Sequence, residues 1–148
     1  MVDKLSLKTG NAVITGVPDG AEAYVLAALV KDAGPGLSLV FVARDASHAR
    51  SVQDALAYFA PDCDVLDLPA WDCLPYDRVS PTSALVARRL TSLSRLAGGG
   101  GAFERPTILL TTANAALQRL PVPDFARSQS WSARPGNRVD LGGLVSWL

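Results

Sequence analysis

Residues 14–29 read ITGVPDGAEAYVLAAL: a short apolar run, a turn that contains glycine, and a run of helix-forming residues. In α/β proteins, a strand, a turn and a helix in this order often hold a phosphate at the start of the helix. A working phosphate loop reads GxxxxGK[ST], in which the lysine neutralises the phosphates and the hydroxyl ligates magnesium. Counted from Gly16, the lysine position holds Glu22 and the hydroxyl position holds Ala23. The segment has the position of a phosphate loop without its chemistry.

Helix capping explains the same turn better than nucleotide binding. Pro18 removes one N–H donor, and a glutamate would repel a triphosphate. Asp19, followed three residues later by Glu22, matches a capping box, and the helix dipole favours both carboxylates. We therefore expect no nucleotide, no metal and no other cofactor at this degenerate loop. The residues in question are Gly16, Gly20, Glu22 and Ala23.

Predicted strands and helices alternate along the chain. Apolar runs predict strands at residues 11–16, 37–43, 64–69 and 106–112, with 37–43 as a central strand. Helical periodicity and stop signals predict helices at residues 19–33, 45–60, 81–96 and 113–120. This alternation is typical of an α/β fold, with a mostly parallel sheet and helices on both faces.

The pattern changes after the stretch LPVPDF at residues 120–125. We predict an α/β domain over residues 1–122 and the start of a second, smaller α+β domain over residues 123–148. In that second part, a turn at RPGN leads into a predicted helix that reaches Leu148 without a stop signal. The sequence thus predicts a chain that is a fragment ending inside its second domain.

Composition excludes several classes of protein. Apolar residues make up 49% of the chain and charged residues 19%, as in a folded globular protein. The 14 basic and 14 acidic side chains cancel, so no global field attracts nucleic acid or an anionic membrane. Cys63 and Cys73 have neither metal-ligand spacing nor a disulfide framework, and His48 lies in the first turn of a helix, where we do not expect catalysis. Since the start MVDKLSLKTGNA has no apolar core of signal-peptide length, and no apolar run reaches the length of a membrane span, a cytoplasmic location is expected.

The most distinctive stretch is LPAWDCLPYDRVSPTSALVARRLTSLSRL at residues 68–96, followed by TILLTTANAALQRLP at residues 107–121. Both resemble the amino-terminal region of bacterial transcription-repair coupling factors, which typically shows P-x-W/E-x-L-P-Y-D-x-x-S-P, then R-L-x-x-L, then L-x-Q-R. The matching residues are Pro69, Trp71, Leu74, Pro75, Tyr76, Asp77, Ser80, Pro81, Arg89, Leu90, Leu93, Leu117, Gln118 and Arg119. The resemblance extends from about Gly16 to Pro121, and weakly into PGNRVDLGGL.

This resemblance implies a module similar to the damage-verification protein UvrB: a helicase-like α/β domain, an inserted second domain, and then the rest of the α/β fold. In such modules both the phosphate loop and the DNA-clamping hairpin of UvrB are lost, and a distant motor performs ATP-driven translocation. Glu22 and Ala23 agree with that loss, as does the direct passage from PYDRVSP to TSALVARRL. We therefore expect this chain to be no enzyme, although its parent would be an ATP-dependent DNA translocase.

The resemblance also implies partners. UvrA would be recruited by the second domain through a surface that mimics UvrB, and the module would contact the rest of its own parent chain. RNA polymerase and DNA would be bound by other domains of the parent, and no membrane is implied. Two alternatives stay open: an ATPase or nucleotidyl activity that uses an altered phosphate loop, and direct DNA binding that salt would weaken.

Arginines are the candidate partner-binding residues. Arg88, Arg89 and Arg95 lie on the predicted helix at residues 81–96, where Val86, Leu90 and Leu93 form the apolar stripe. The ordinary role of such arginines is a solvated helix face, and the alternative is a face for a partner or for DNA. The other two candidates flank the predicted Pro-Gly turn of the second domain. They are Arg134 and Arg138.

The loop after residue 68 contains aromatic and acidic residues with two interpretations each. Trp71, Leu74 and Tyr76 could stack nucleic-acid bases, but aromatics in a proline-stiffened loop more often pack under a sheet edge. Asp72 and Asp77 could form a paired-carboxylate site. Without a nearby histidine or lysine, they fit turn and cap positions better.

Overall fold

The computed structural model describes residues 10–73, 78–98, 103–128, 131, 135–136 and 138–147. The strands are β1 (Gly36–Ala43), β2 (Asp64–Leu68) and β3 (Pro106–Thr112). The helices are α1 (Glu22–Val30), α2 (Ala46–Phe59), α3 (Ser83–Leu96), α4 (Ala113–Ala116), α5 (Pro123–Ser128) and α6 (Leu141–Trp147). The predicted α/β class is confirmed. Among these helices, none is long and apolar enough to cross a membrane.

The three described strands form one parallel sheet in the order β1-β3-β2. Leu109 of β3 lies between Val40 of β1 and Leu66 of β2. The prediction of a parallel sheet is confirmed, but the prediction that residues 37–43 form a central strand is wrong. Residues 107–111 of β3 are all buried, which fits a central strand covered on both faces, whereas all residues of β1 except the last are exposed or partly buried.

Helices pack on both faces of the sheet, as predicted. Ile108 and Leu110 of β3 lie in a core with Leu26 of α1 and Leu56 of α2. Leu109, which points to the opposite face because side chains alternate along a strand, lies in a second core cluster built with α3 and α5. Burial of both faces makes β3 the strand on which the fold depends most.

The second face is covered only in part. Val40 and Val42 share the face of Leu109 by register, yet they are 51% and 53% exposed. They are exposed because α3 and α5 pack over β2 and β3, whereas no described helix packs over this face of β1. The outer edge of β1 also has no strand partner among the described residues.

Residues 11–16 do not form the predicted strand, and that prediction is wrong. Val13 is 87% exposed and Ile14 40%, and no described strand pairs with this segment. A short apolar run without a ladder partner leaves its backbone groups to water, so the pattern alone does not make a strand. The segment is followed by a turn, in which the backbone N–H of Ala21 donates to the carbonyl of Pro18 at 3.0 Å.

Helix boundaries differ from the predictions mostly at the ends. The prediction for α2 is confirmed, and Asp45 caps the helix by accepting the backbone N–H of His48 at 2.8 Å. The predicted helix at residues 113–120 ends instead at Ala116 as α4. At this end the backbone N–H of Gln118 donates at 3.2 Å to the carbonyl of Ala115, three residues back, as in the tightened last turn of a helix.

Helix α5, which begins just after the predicted domain boundary at residue 122, packs against α3. Ala126 is 2% exposed within the second core cluster, and Arg127 Nε donates to the carbonyl of Ala97 at 2.6 Å. The boundary itself stays a prediction. Helix α6 agrees with the helix expected after the RPGN turn, and Asp140 Oδ1 accepts the backbone N–H of Gly142 at 3.0 Å at its start.

Candidate interaction site

The turn in the position of a phosphate loop is closed by a hydrogen bond from its backbone to the side chain of Glu22. Gly20 adopts a φ of 87°, which favours glycine, and its backbone N–H donates to Glu22 Oε2 at 2.8 Å. Ala23, at the position where a phosphate loop has its hydroxyl, is 1% exposed in the core beneath α1. The second glycine of the turn, Gly16, has a φ of 76° and lies before the helix. A carboxylate therefore occupies a backbone donor that an anionic ligand would need.

The predicted capping box is only half formed. The residue that precedes α1 is Ala21, which makes no side-chain cap, and the carboxylate of Asp19 is 90% exposed at 3.9 Å from Arg44. Glu22 alone reaches back, to the N–H of Gly20. The prediction of Asp19 as the helix cap is wrong because the chain between Pro18 and Ala21 forms a turn that delays the helix.

His48 joins the starts of α1 and α2. Its Nδ1 accepts the backbone N–H of Arg44 at 3.3 Å, which leaves the proton on Nε2, and Nε2 lies 3.4 Å from Glu22 Oε1. The backbone N–H groups of Glu22 and Gly20, together with His48, hold the pKa of Glu22 below its usual value, against the opposing effect of burial. This geometry gives His48 a structural contact between two helices.

Two predicted partner-binding arginines of α3 pair with carboxylates of β2, although 50% of the Arg88 side chain and 39% of the Arg95 side chain stay exposed. Arg88 pairs with Asp67, and Arg95 Nη2 lies 2.7 Å from Asp64 Oδ2. Between them, Ser92 Oγ donates to the carbonyl of Asp67 at 2.7 Å. The polar face of α3 is therefore the face that docks on the edge of the sheet.

The third arginine of α3, Arg89, is in the interior at 1% exposure. Its Nη1 donates to the carbonyl of Pro69 and, at 3.1 Å, to Gln118 Oε1. Its guanidinium carbon lies 4.3 Å from the centre of the Trp71 ring, and the backbone N–H of Trp71 donates to the same Gln118 oxygen at 3.1 Å. We call these four residues the Arg89 cluster. The structure gives Arg89 an internal role that leaves no surface for a partner.

Burial determines the electrostatics of this cluster. Desolvation lowers the pKa of Arg89, and its Nε has no hydrogen-bond partner among the described residues. The ring of Trp71, by its quadrupole, offsets part of that desolvation. Sequence reasoning missed the cluster, although the signal was present. Pro69, Trp71, Arg89 and Gln118 all belong to the segments that carry the family resemblance.

Other predicted residues of the loop are placed in part. Asp72 Oδ2 accepts a hydrogen bond from Thr82 Oγ1 at 3.0 Å, which agrees with the turn interpretation. Of the three residues considered for base stacking, Trp71 has one face of its ring covered by Arg89, so that face is closed to a base. Arg138 is exposed before α6. The remaining residues of these predictions lie outside the described residues: Leu74, Tyr76, Asp77 and Arg134.

The described residues give little support for a metal site or a nucleophilic cysteine. Within the described ranges, no group of three or more His, Cys, Asp or Glu side chains could hold a metal ion. Both cysteines are free, and Cys63 Sγ donates to the carbonyl of Pro106 at 3.0 Å. Burial raises the pKa of the Cys63 thiol, which disfavours the nucleophilic thiolate.

A cleft of about 440 Å³ lies at the carboxyl ends of all three strands. Its walls include the residues that follow β1 and β2 and the start of α4 after β3, among them Arg44, Pro69, Trp71 and Asn114. Parallel α/β sheets bind their ligands at this edge. Two residues of the Arg89 cluster, Pro69 and Trp71, line this cleft, and Arg89 and Gln118 hold them in place without lining it themselves.

The chain is similar to transcription-repair-coupling factors from several organisms. The protein of Escherichia coli (strain K12) is 28% identical over 150 aligned positions, which cover 97% of this chain and 12% of that protein. The protein of Rickettsia bellii (strain RML369-C) is 28% identical over 74% of this chain and 9% of its own length. That of Rickettsia prowazekii (strain Madrid E) is 31% identical over 46% of this chain and 6% of its own.

The chain spans about an eighth of the length of its Escherichia coli relative, of which it covers 12%. No family model matches it. The matches nevertheless extend over nearly the whole of this chain, and the relatives share one description. The resemblance predicted from the motifs is confirmed: over nearly its whole length, this chain is similar to part of the transcription-repair-coupling factors.

Proposed function

We propose that this chain is a non-catalytic interaction module of a transcription-repair-coupling factor. It is a UvrB-like α/β domain followed by the start of a second domain, and it takes part in recruiting UvrA for nucleotide excision repair. ATP-driven translocation along DNA and the removal of stalled RNA polymerase belong, in this proposal, to other parts of the parent protein. The module also contacts the rest of the parent chain and restrains the motor until it is needed.

The observation that carries the non-catalytic part of the proposal is the self-closed turn before α1. Glu22 stands where a phosphate loop has its lysine, and its carboxylate accepts the N–H of Gly20 at 2.8 Å. A triphosphate in this position would have to displace that hydrogen bond and then face a negative side chain. The guanidinium of Arg44, 3.9 Å from the carboxylate of Asp19, already faces a negative side chain and is 67% exposed.

The open side of the sheet supports a module that is completed by other parts of a larger protein. Val40 and Val42 expose an apolar face, and the outer edge of β1 is unpaired among the described residues. The family resemblance implies that the rest of the α/β fold follows the second domain. A strand from that part would pair with the edge of β1 and remove an edge that invites aggregation, and a helix from it would cover the apolar face.

A nucleotide titration tests the non-catalytic assignment against the alternative of an altered phosphate loop. Purified chain is titrated with ATP and magnesium in a calorimeter, and no saturable heat is expected up to millimolar nucleotide. Saturable binding in the micromolar range would overturn the assignment. A stoichiometric response of a phosphate-loop ATPase in the same buffer serves as the positive control.

Recruitment of UvrA is tested in the parent protein, where the second domain is present as a whole. Arg134 and Arg138 are the candidate partner-binding residues in this part of the chain, and if UvrA is their partner, replacing both by alanine weakens its capture. The matched control is Arg105→Ala, an exposed arginine before β3 at the opposite end of the sheet from the cleft. Undiminished capture by the double variant would remove these two arginines from the proposal, and DNA binding that falls steeply with salt would favour the DNA-binding alternative.

A further inference from the structure

The cleft at the carboxyl ends of the strands contains charges of both signs. Arg44 precedes Asp45, the cap of α2. Arg50 lies in α2 and Arg88 in α3. Three carboxylates line the same cleft, so its formal charge is balanced. They are Asp45, Asp67 and Asp72. What the cleft can bind depends on which of these groups already have partners.

All three carboxylates are engaged within the chain. Asp45 caps α2 by accepting the backbone N–H of His48 at 2.8 Å, and this bond is the main cause that lowers the pKa of Asp45. Asp67 pairs with Arg88. Asp72 accepts a hydrogen bond at 3.0 Å from the hydroxyl of the residue that precedes α3. Their negative charge is therefore committed to holding the walls of the cleft.

Two of the three arginines are not engaged in this way. Arg50 makes no hydrogen bond or ion pair with any residue in the described part of the chain. Arg44 has one weak pair, with Asp19 at 3.9 Å, in which the side chains are 67% and 90% exposed. Exposed pairs of this length contribute little, so the guanidinium of Arg44 is available to a ligand. The unmatched chemistry of the cleft is cationic, at two planar groups that suit carboxylate or phosphate.

We propose that this cleft is a docking site for a segment of a protein partner that carries a carboxylate side chain, held between Arg44 and Arg50. The remaining walls suit such a segment, since Gln53 and Asn114 offer amide groups to a peptide backbone and Trp71 offers an apolar surface. The cavity of about 440 Å³ has the size of ordinary ligand sites and takes a few side chains, not a folded domain.

An acidic protein segment fits better than nucleic acid. A polynucleotide presents a phosphate at every residue, and in this cleft those phosphates would pass Asp45 and Asp72 as well as the arginines. A peptide can place one carboxylate between the arginines and neutral groups elsewhere. The net charge of the chain is +0, so no wider basic surface adds the attraction that nucleic acid binding uses.

This docking site is independent of the proposed recruitment of UvrA, because it rests on the described cleft and not on the second domain. The test uses the 148-residue chain, labelled with ¹⁵N, and a capped Ala-Glu-Ala-Glu-Ala peptide as the probe. The matched probe has glutamine in place of each glutamate. Amide shifts are followed by NMR, and those of Ala46 and Ala113 report on the cleft because both residues line it.

The glutamate peptide is expected to shift cleft residues with an affinity at least about fivefold higher than the glutamine peptide. Arg50→Gln is expected to reduce the affinity to that of the glutamine peptide, whereas Arg105→Gln, far from the cleft, leaves it unchanged. Both variants alter exposed side chains, and unchanged spectra outside the site verify their folding. Three results would each overturn the proposal. The first is equal affinity of the wild type for the two peptides, and the second is an affinity of Arg50→Gln for the glutamate peptide as high as that of the wild type. The third is tighter binding of oligothymidylate at the same residues.

Discussion

The guanidinium carbon of Arg89 lies 4.3 Å from the ring centre of Trp71, which brings the middle of α3 against the loop that follows β2. The contact is fixed from two further sides, because Arg89 also donates to the carbonyl of Pro69 and to Gln118. Three stretches that are distant in sequence thus depend on one buried cation. The most distinctive motif of the chain is therefore part of its architecture.

Arg89→Met is expected to destabilise the fold by about 2–3 kcal/mol, because it leaves the oxygens of the partly buried residues Pro69 and Gln118 without their donor. Arg89→Lys keeps the charge but not the planar fork, so an intermediate loss of about 1–2 kcal/mol is expected. The measurement is the free energy of unfolding in urea. Arg105→Ala, an exposed control, is expected to stay within about 0.5 kcal/mol of the wild type. Equal stability of the methionine variant and this control would contradict the role of Arg89.

Gln118→Met removes an acceptor shared by Arg89 and by the backbone N–H of Trp71. We expect a loss of about 1–2 kcal/mol and at least about tenfold faster hydrogen exchange at the Trp71 amide, because that N–H loses its protein partner. Arg119→Ala changes the exposed neighbouring side chain and is expected to leave the exchange rate as it is. An unaltered Trp71 amide in Gln118→Met would show that the shared oxygen does not hold the loop.

Local patterns predicted the fold class well. Residues 106–112 were predicted to the residue as β3, because a short apolar run flanked by β-branched threonines, between a proline and a helix start, has few alternatives. Asp45 was a reliable helix start for the same local reason. Residues 11–16 show the limit, since a strand also needs a neighbour, and the pairing of distant strands is not encoded in the periodicity of either one.

The candidate site was predictable only in part. Glu22 and Ala23 revealed a turn without phosphate chemistry because the missing charges are local. Arg88 and Arg95 read as a solvated face, since helical periodicity separates polar from apolar residues but does not show that a polar face meets Asp67 and Asp64 on a strand. The burial of Arg89 was likewise invisible, because its acceptors come from other parts of the chain.

Leu110→Ala and Val42→Ala test the assignment of covered and uncovered positions of the sheet. Leu110 of β3 is 0% exposed in the core formed with α1 and α2, so its truncation is expected to cost about 2–5 kcal/mol through lost burial and a cavity. Val42 is 53% exposed on the open side of β1, and its truncation is expected to cost less than about 1 kcal/mol. Urea unfolding of both variants measures the difference. Similar losses would mean that the face of β1 is covered after all.

The contact of Glu22 with Gly20 and His48 predicts a dependence of stability on pH. The pKa of Glu22 is lower in the folded chain than its usual value, so its stabilising effect is present above that usual value and is lost as the pH falls through the folded one. Glu22→Gln is therefore expected to be less stable than the wild type at pH 7, and the gap should close on acidification below about pH 4. Urea midpoints at both pH values give the gap. Asp19→Asn, which alters a carboxylate that is 90% exposed, is the control and is expected to change stability little at pH 7. A gap for Glu22→Gln that stays constant with pH would show that the carboxylate does not hold the turn before α1.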